Sequence, residues 1–108
     1  MIKWTPIIQY REFYDFPRVF IIEYGGRFLL FDGPFDEEID EYSPFFTVFE
    51  MSSDKLQPFL GQDMLLLWES LPSLATKRIG KIPVSDVKFD PTRRQAIESS
   101  VLDRLLSV

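Results

Sequence analysis

A chain of 108 residues with 45% hydrophobic and 16% aromatic content suits one compact domain, spanning residues 1–108 around a single core, and leaves no room for a second. It contains no cysteine and no histidine, which excludes disulfide frameworks, thiolate nucleophiles, histidine triads and the usual zinc sites; carboxylates, lysines, tyrosines and hydroxyls remain for any chemistry. A net charge of −5 disfavours nonspecific binding to nucleic acid or to an anionic membrane, since both need positive potential.

The longest apolar runs, such as Val19 to Ile22 and Met64 to Trp68, fall far short of the roughly 20 residues that cross a bilayer. Met1 to Tyr10 lacks the basic start and apolar middle of a signal peptide, so a cytoplasmic protein without membrane or nucleic-acid partners is expected. Charge is unevenly spread: residues 1–31 sum to +1, residues 32–69 to −9 and residues 77–108 to +3. That asymmetry implies either an acidic and a basic face, or an acidic middle that folds back onto a basic tail.

In chain order, "PIIQYREFYDFP" reads as a strand, Ile8 and Tyr10 alternating against Ile7 and Gln9, with a turn near Asp15, Phe16 and Pro17. Tyr10, Phe13, Tyr14 and Phe16 crowd that turn and are expected to overflow into an exposed aromatic contact patch. "RVFIIEYGGRFLLFD" follows, two β-rich runs around Gly25 and Gly26, which supply the positive φ of a tight hairpin. Its register sets Tyr24 opposite Arg27, Ile22 opposite Leu29 and Phe20 opposite Phe31 on one face, with Ile21 opposite Leu30 and Val19 opposite Asp32 on the other. A hairpin apolar on both faces belongs in a sheet covered on both sides, or in a closed barrel.

"FFTVFEM", Phe45 to Met51, alternates as a further strand. "DMLLLWESL", capped by Asp63, is a short buried helix or a buried strand, for periodicity does not separate the two; helix is favoured, with Pro72 ending it. "TKRIGKIPV" supplies another strand, with Gly80 and Pro83 marking a bulge or an edge. Asp86, Lys88 and Asp90 lead to a C-terminal helix capped by Asp90, with Pro91 at its first position and Ile97, Val101, Leu102 and Leu105 forming the apolar stripe. The expected architecture is therefore α+β: a twisted antiparallel meander of about four to six strands, open or barrel-like, with a C-terminal amphipathic helix packed on one face.

"FDGPFDEEIDEY" is the most distinctive stretch, with five carboxylates between Asp36 and Glu41. Phe35, Ile39 and Tyr42 sit at i, i+4 and i+7 between Pro34 and Pro44, the spacing of a two-turn helix that grips the sheet. A calcium loop would need the D-x-[DN]-x-[DN]-G spacing, which is missing. A hydrolytic acid pair would need one carboxyl protonated in an apolar pocket beside an ionised one, and a run of neighbouring exposed acids gives no such contrast.

Docking remains. On a helix, Asp36 with Asp40 and Glu37 with Glu41 would be like charges at i, i+4, each pair unfavourable by a few tenths of a kcal/mol. Arg93 and Arg94 are expected in the first turn of the last helix, where the dipole disfavours cations, so the two clusters form a natural pair within one molecule or across a dimer. Lys77, Arg78 and Lys81 are a second basic candidate.

The eleven phenylalanines, with Trp4 and Trp68, are expected in the core, and Ser52, Ser53, Ser99 and Ser100 have no histidine to activate them. The sequence thus points to an acidic, non-catalytic interaction module without cofactor or metal, binding a basic protein or itself. Its expected surface comprises Asp36, Glu37, Asp40, Glu41, Arg93, Arg94, Tyr14 and Phe16. The alternative is a barrel-like binder of a small apolar or aromatic ligand, and the least favoured is a carboxylate- or metal-dependent hydrolase.

Overall fold

Residues 17–32 combine β-branched and aromatic side chains around Gly25 and Gly26, and this composition folds as a hairpin at the centre of the sheet. In the computed structural model, which describes residues 2–13, 15–56 and 75–106, strands β2 (Pro17–Tyr24) and β3 (Arg27–Asp32) pair in the expected register. Tyr24 lies opposite Arg27, Phe20 opposite Phe31 and Val19 opposite Asp32. Gly25 and Gly26 have φ of 60° and 76°, left-handed conformations that side chains with a Cβ adopt only with strain.

Strand β1 (Trp4–Phe13) pairs with β2. Beyond β3, the chain makes a small excursion, β4 (Phe35–Asp36) and β5 (Glu41–Tyr42), and returns as β6 (Phe45–Met51) antiparallel to β3. A one-turn helix α1 (Ser53–Leu56) follows β6; β7 (Ala75–Pro83) then pairs with β6, and β8 (Ala96–Glu98) pairs with β1. The result is a six-stranded antiparallel sheet of order β7-β6-β3-β2-β1-β8, with β4 and β5 forming a separate two-stranded hairpin.

The sheet is open, which corrects the barrel-like alternative: β7 and β8 stand at its two ends and do not pair. The face that a barrel would turn inward is instead filled by Val87 and Phe89 and by helix α2 (Ser99–Leu106). A 3-10 turn, Val84–Asp86, carries the chain off β7, and Phe89 then bridges Ile97 beside β8, with Lys88 O accepting from Glu98 N at 2.9 Å. β7 is the expected irregular edge, its register with β6 shifting on either side of Arg78 and Lys77. Such irregularity, together with exposed Lys77, Arg78 and Lys81, disfavours further strand pairing at this end of the sheet.

Because strand side chains alternate, the two apolar faces of β2 and β3 make two cores, one on each side of the sheet, in place of the single core expected from composition. Phe20, Ile22, Leu29, Phe31, Phe46, Val48 and Ile97 lie under α2 and are fully buried; Ile21, Leu30, Phe28 and Met51 are buried on the opposite face. Phe20 anchors the larger core, stacked on Phe31 at 4.8 Å and edge-on to Phe46 at 5.4 Å and Phe89 at 5.7 Å. These rings pack against one another as core, whereas Phe35 and Phe45, expected in the core, are each 43% exposed.

The C-terminal helix is present, but it begins at Ser99 rather than after Asp90. Asp90 Oδ1 does bond the backbone N–H groups of Thr92, Arg93 and Arg94, as a cap would, at 3.1, 2.6 and 2.9 Å. Arg94, however, has φ of 57°, which ends the turn, and Ala96–Glu98 run extended along β1 instead. Val101 and Leu102 are buried and Leu105 half-buried, as the apolar stripe requires, but Ile97, expected on the same stripe, is buried from strand β8 instead, because the helix starts two residues after it.

Trp4 departs from expectation: it is 39% exposed, because its cross-strand neighbour is Glu98 on the short edge strand. The run from Asp63 to Trp68, Pro72, and Tyr14 lie outside the described residues. Among the described residues, no helix is long and apolar enough to cross a membrane.

Candidate functional site

The acidic stretch is a hairpin, not the two-turn helix its spacing suggests. Phe35 and Tyr42 are seven residues apart, which fits two turns of helix, but here they are cross-strand partners, with Asp36 opposite Glu41. Local bonds select the turn: Asp36 Oδ1 accepts from Glu38 N at 3.0 Å, and Asp40 adopts φ of 54°, a conformation acidic and amide side chains tolerate. The helix would also have stacked like charges at i, i+4. Consequently Phe35 and Ile39 do not grip the sheet; they are 43% and 54% exposed.

The hairpin is anchored at its base. Gly33 N donates to Arg18 O and Ser43 N to Pro34 O, each at 2.9 Å, and the Phe35 and Tyr42 rings meet edge-on at 5.2 Å. A Cβ on Gly33 would stand 2.9 Å from Cδ1 of the buried Phe46 and 3.2 Å from Arg18 O, so glycine is needed for close approach.

Arg18 joins this hairpin to the rest of the molecule. Its guanidinium carbon lies 4.0 Å from the centroid of Phe16 and 4.4 Å from that of Tyr42, and Nη2 is 2.8 Å from Asp15 Oδ1. Nε is buried without a hydrogen-bond acceptor, so contact with the rings replaces one of the hydrogen bonds that a guanidinium makes in water. Arg94 Nη1 also reaches this turn and donates to Asp15 O. Phe16 stacks on Phe89 at 4.8 Å and is half-buried, which corrects its expected place in an exposed patch.

Of the expected surface residues, Phe16, Arg94, Asp40 and Glu41 are thus gathered around Arg18 and Asp15, while Asp36 and Glu37 stand exposed on the hairpin. Arg93 is exposed in the turn held by Asp90. Among the described residues, no ion pair joins the hairpin carboxylates to Arg93 or Arg94, so the expected pairing of the two clusters within one molecule is absent there. Sequence reading missed Arg18 and Tyr42. The signal for Arg18 was a cation two positions after Phe16 at the mouth of a strand whose neighbours are all apolar.

Beside the hairpin, Arg18, Phe35, Asp40, Glu41 and Tyr42 line an open groove of about 510 Å³. A smaller one of about 280 Å³, lined by Arg27, Lys77, Ile79, Leu105 and Leu106, lies at the end of α2. There Arg27 makes two bonds to Glu50, at 3.0 and 2.6 Å, and the bond from Arg27 holds the Glu50 carboxyl below its ordinary range. Tyr24 Oη donates to Asp103, which ties α2 to the β2–β3 turn and raises the phenol above its usual value.

No three acidic side chains converge among the described residues in the way a metal ion requires. The hairpin presents exposed negative charge beside aromatic surface. No protein-family model, curated protein or solved structure matches the chain, which leaves the geometry of the site as the basis for a functional reading.

Proposed function

We propose that the protein is a non-catalytic interaction module that meets a basic protein surface, on a partner or on a second copy of itself, through the acidic hairpin. One observation carries the reading: all five carboxylates from Asp36 to Glu41 are exposed on one two-stranded tip, and none forms an ion pair among the described residues. Like charges held together repel, and a basic surface relieves that repulsion while speeding encounter. Phe35 and Ile39 add exposed apolar area beside the charge. For self-association, Lys77, Arg78 and Lys81 on β7, with Arg93, supply exposed positive charge of the opposite sign.

The test neutralises the hairpin without changing its shape, using Asp36→Asn, Glu37→Gln, Asp40→Asn and Glu41→Gln together. Sedimentation of the full chain and mass spectrometry of what co-purifies with it are compared at about 50 and about 500 mM salt, a range that collapses the screening length of surface charge. Dimers, or basic proteins, that disappear both with neutralisation and with salt support the reading. If they are dimers, Arg93→Glu with Arg94→Glu, or reversal of the β7 cations, weakens them too. A monomer that retains nothing, or retains the same proteins after neutralisation, overturns it.

A further inference from the structure

We infer that the groove beside the hairpin seats a single arginine side chain of the partner; this rests on the hairpin being a docking element and adds the chemistry of its anchor. The groove combines an exposed aromatic ring, Phe35, with the Tyr42 ring and with Asp40 and Glu41. A guanidinium suits that combination: its planar face stacks on aromatic rings and its edge forms paired bonds with a carboxylate. An apolar guest would strip water from the two carboxylates without replacing it, and an anion would be repelled by them.

The molecule already contains one such seat next door. Arg18 is held between Phe16 and Tyr42 with Asp15 at its edge, by the same three kinds of contact. In the groove the aromatic and acidic elements recur around Phe35, and no cation of the described residues is ion-paired to Asp40 or Glu41. Arg18 itself lines one wall, but its charge is matched by its ion pair with Asp15, which offsets its repulsion of an incoming cation. Lysine fits less well, since its ammonium is a compact, strongly hydrated charge with no planar face.

The experiment is a heteronuclear NMR titration of the full chain with a capped pentapeptide carrying one arginine among glycines, against the same peptide with citrulline or lysine. Expected are shifts of the Phe35, Asp40, Glu41 and Tyr42 amides with arginine, smaller ones with lysine, and none with the uncharged citrulline. Phe35→Ala weakens arginine binding roughly two- to fivefold, the range of an exposed cation–π contact. Asp40→Asn keeps the left-handed turn and Glu41→Gln keeps its shape, so each isolates charge should Phe35→Ala loosen the hairpin. Equal response to arginine and lysine, indifference to Phe35→Ala and Glu41→Gln, or no response to arginine overturns the seat. Docking through the hairpin is judged separately, by salt-dependent co-purification with the neutralised chain, so the two fail distinguishably.

Discussion

The Asp90 carboxylate accepts four backbone N–H groups, three on Oδ1 from Thr92, Arg93 and Arg94 and one on Oδ2 from Gln95 at 3.2 Å. The bonds from Arg93 and Arg94, the largest cause, hold this carboxyl below its ordinary range. A carboxyl whose folded value lies below its unfolded one adds stability above the unfolded value and loses it as pH falls through the folded value. Asp90→Ala should therefore lower unfolding free energy by about 1 kcal/mol at neutral pH, the usual loss for a cap. The gap between wild type and variant should close as pH falls below roughly 4, where free aspartate protonates. Urea titrations across a pH series measure it. Glu50 titrates in the same direction in both proteins, so it cancels from the difference. A gap that persists unchanged at the acid end would show that the charge of Asp90 is not what holds the turn.

Between elements, the join of β8 and α2 to β1 adds one buried hydroxyl pair to its backbone pairing. Thr5 Oγ1 and Ser99 Oγ lie 2.7 Å apart, both residues buried, while Lys3 O accepts from Ser99 N at 3.0 Å. Thr5→Val or Ser99→Ala alone leaves a hydroxyl without its partner and should destabilise by about 1–3 kcal/mol. The double variant removes both hydroxyls and should be clearly more stable than the sum of the singles implies, as a denaturation cycle will read. Strict additivity would mean that the two hydroxyls do not act as a pair.

Elements with strong periodicity were legible in the sequence: β2 and β3 with their register, β6, the edge character of β7 and, of the apolar stripe of α2, Val101, Leu102 and Leu105 but not Ile97. Two segments were not, for one shared reason. Around both Asp36 and Asp90 the spacing and capping residues of a helix are present, yet a single residue of left-handed backbone, Asp40 or Arg94, ends the turn. In both cases extended pairing follows, of Glu41 with Asp36 and of Ala96 with Pro6, and such pairing is non-local for Ala96 and so invisible to periodicity. Arg18 escaped for a related reason: its ring partners, Phe16 and Tyr42, come from opposite sides of the β2–β3 hairpin.

For the molecule as a whole, stability concentrates in the ring cluster under α2. Phe20 contacts three other aromatic rings from two strands and the 87–90 crossing, and is fully buried. Phe20→Ala should remove about 3–5 kcal/mol, a large share of the roughly 5–15 kcal/mol that holds a domain of this kind together. Circular dichroism during urea unfolding should show a much lower midpoint; an unchanged one would mean that the fold does not depend on this cluster. The five carboxylates of residues 36–41 belong to a separate two-stranded hairpin and are exposed, outside this cluster.

That placement has a consequence for how such a protein can change. β3 and β6 pair directly as far as Asp32 opposite Thr47, so the chain from Gly33 to Pro44 leaves one strand and re-enters its neighbour, tied to the main sheet at its two ends by Gly33 N to Arg18 O and by Val84 N to Pro44 O while residues 35–42 stand outside it. Gly33 is fixed by its closeness to Phe46, and Arg18 and Tyr42 by their stacking, whereas Glu37, Glu38 and Ile39 at the tip are exposed and, among the described residues, the turn is held by the bond from Glu38 N to Asp36. The architecture thus divides into a conservative chassis and an interchangeable tip. Substitutions at the tip can therefore accumulate while the sheet and its core stay untouched.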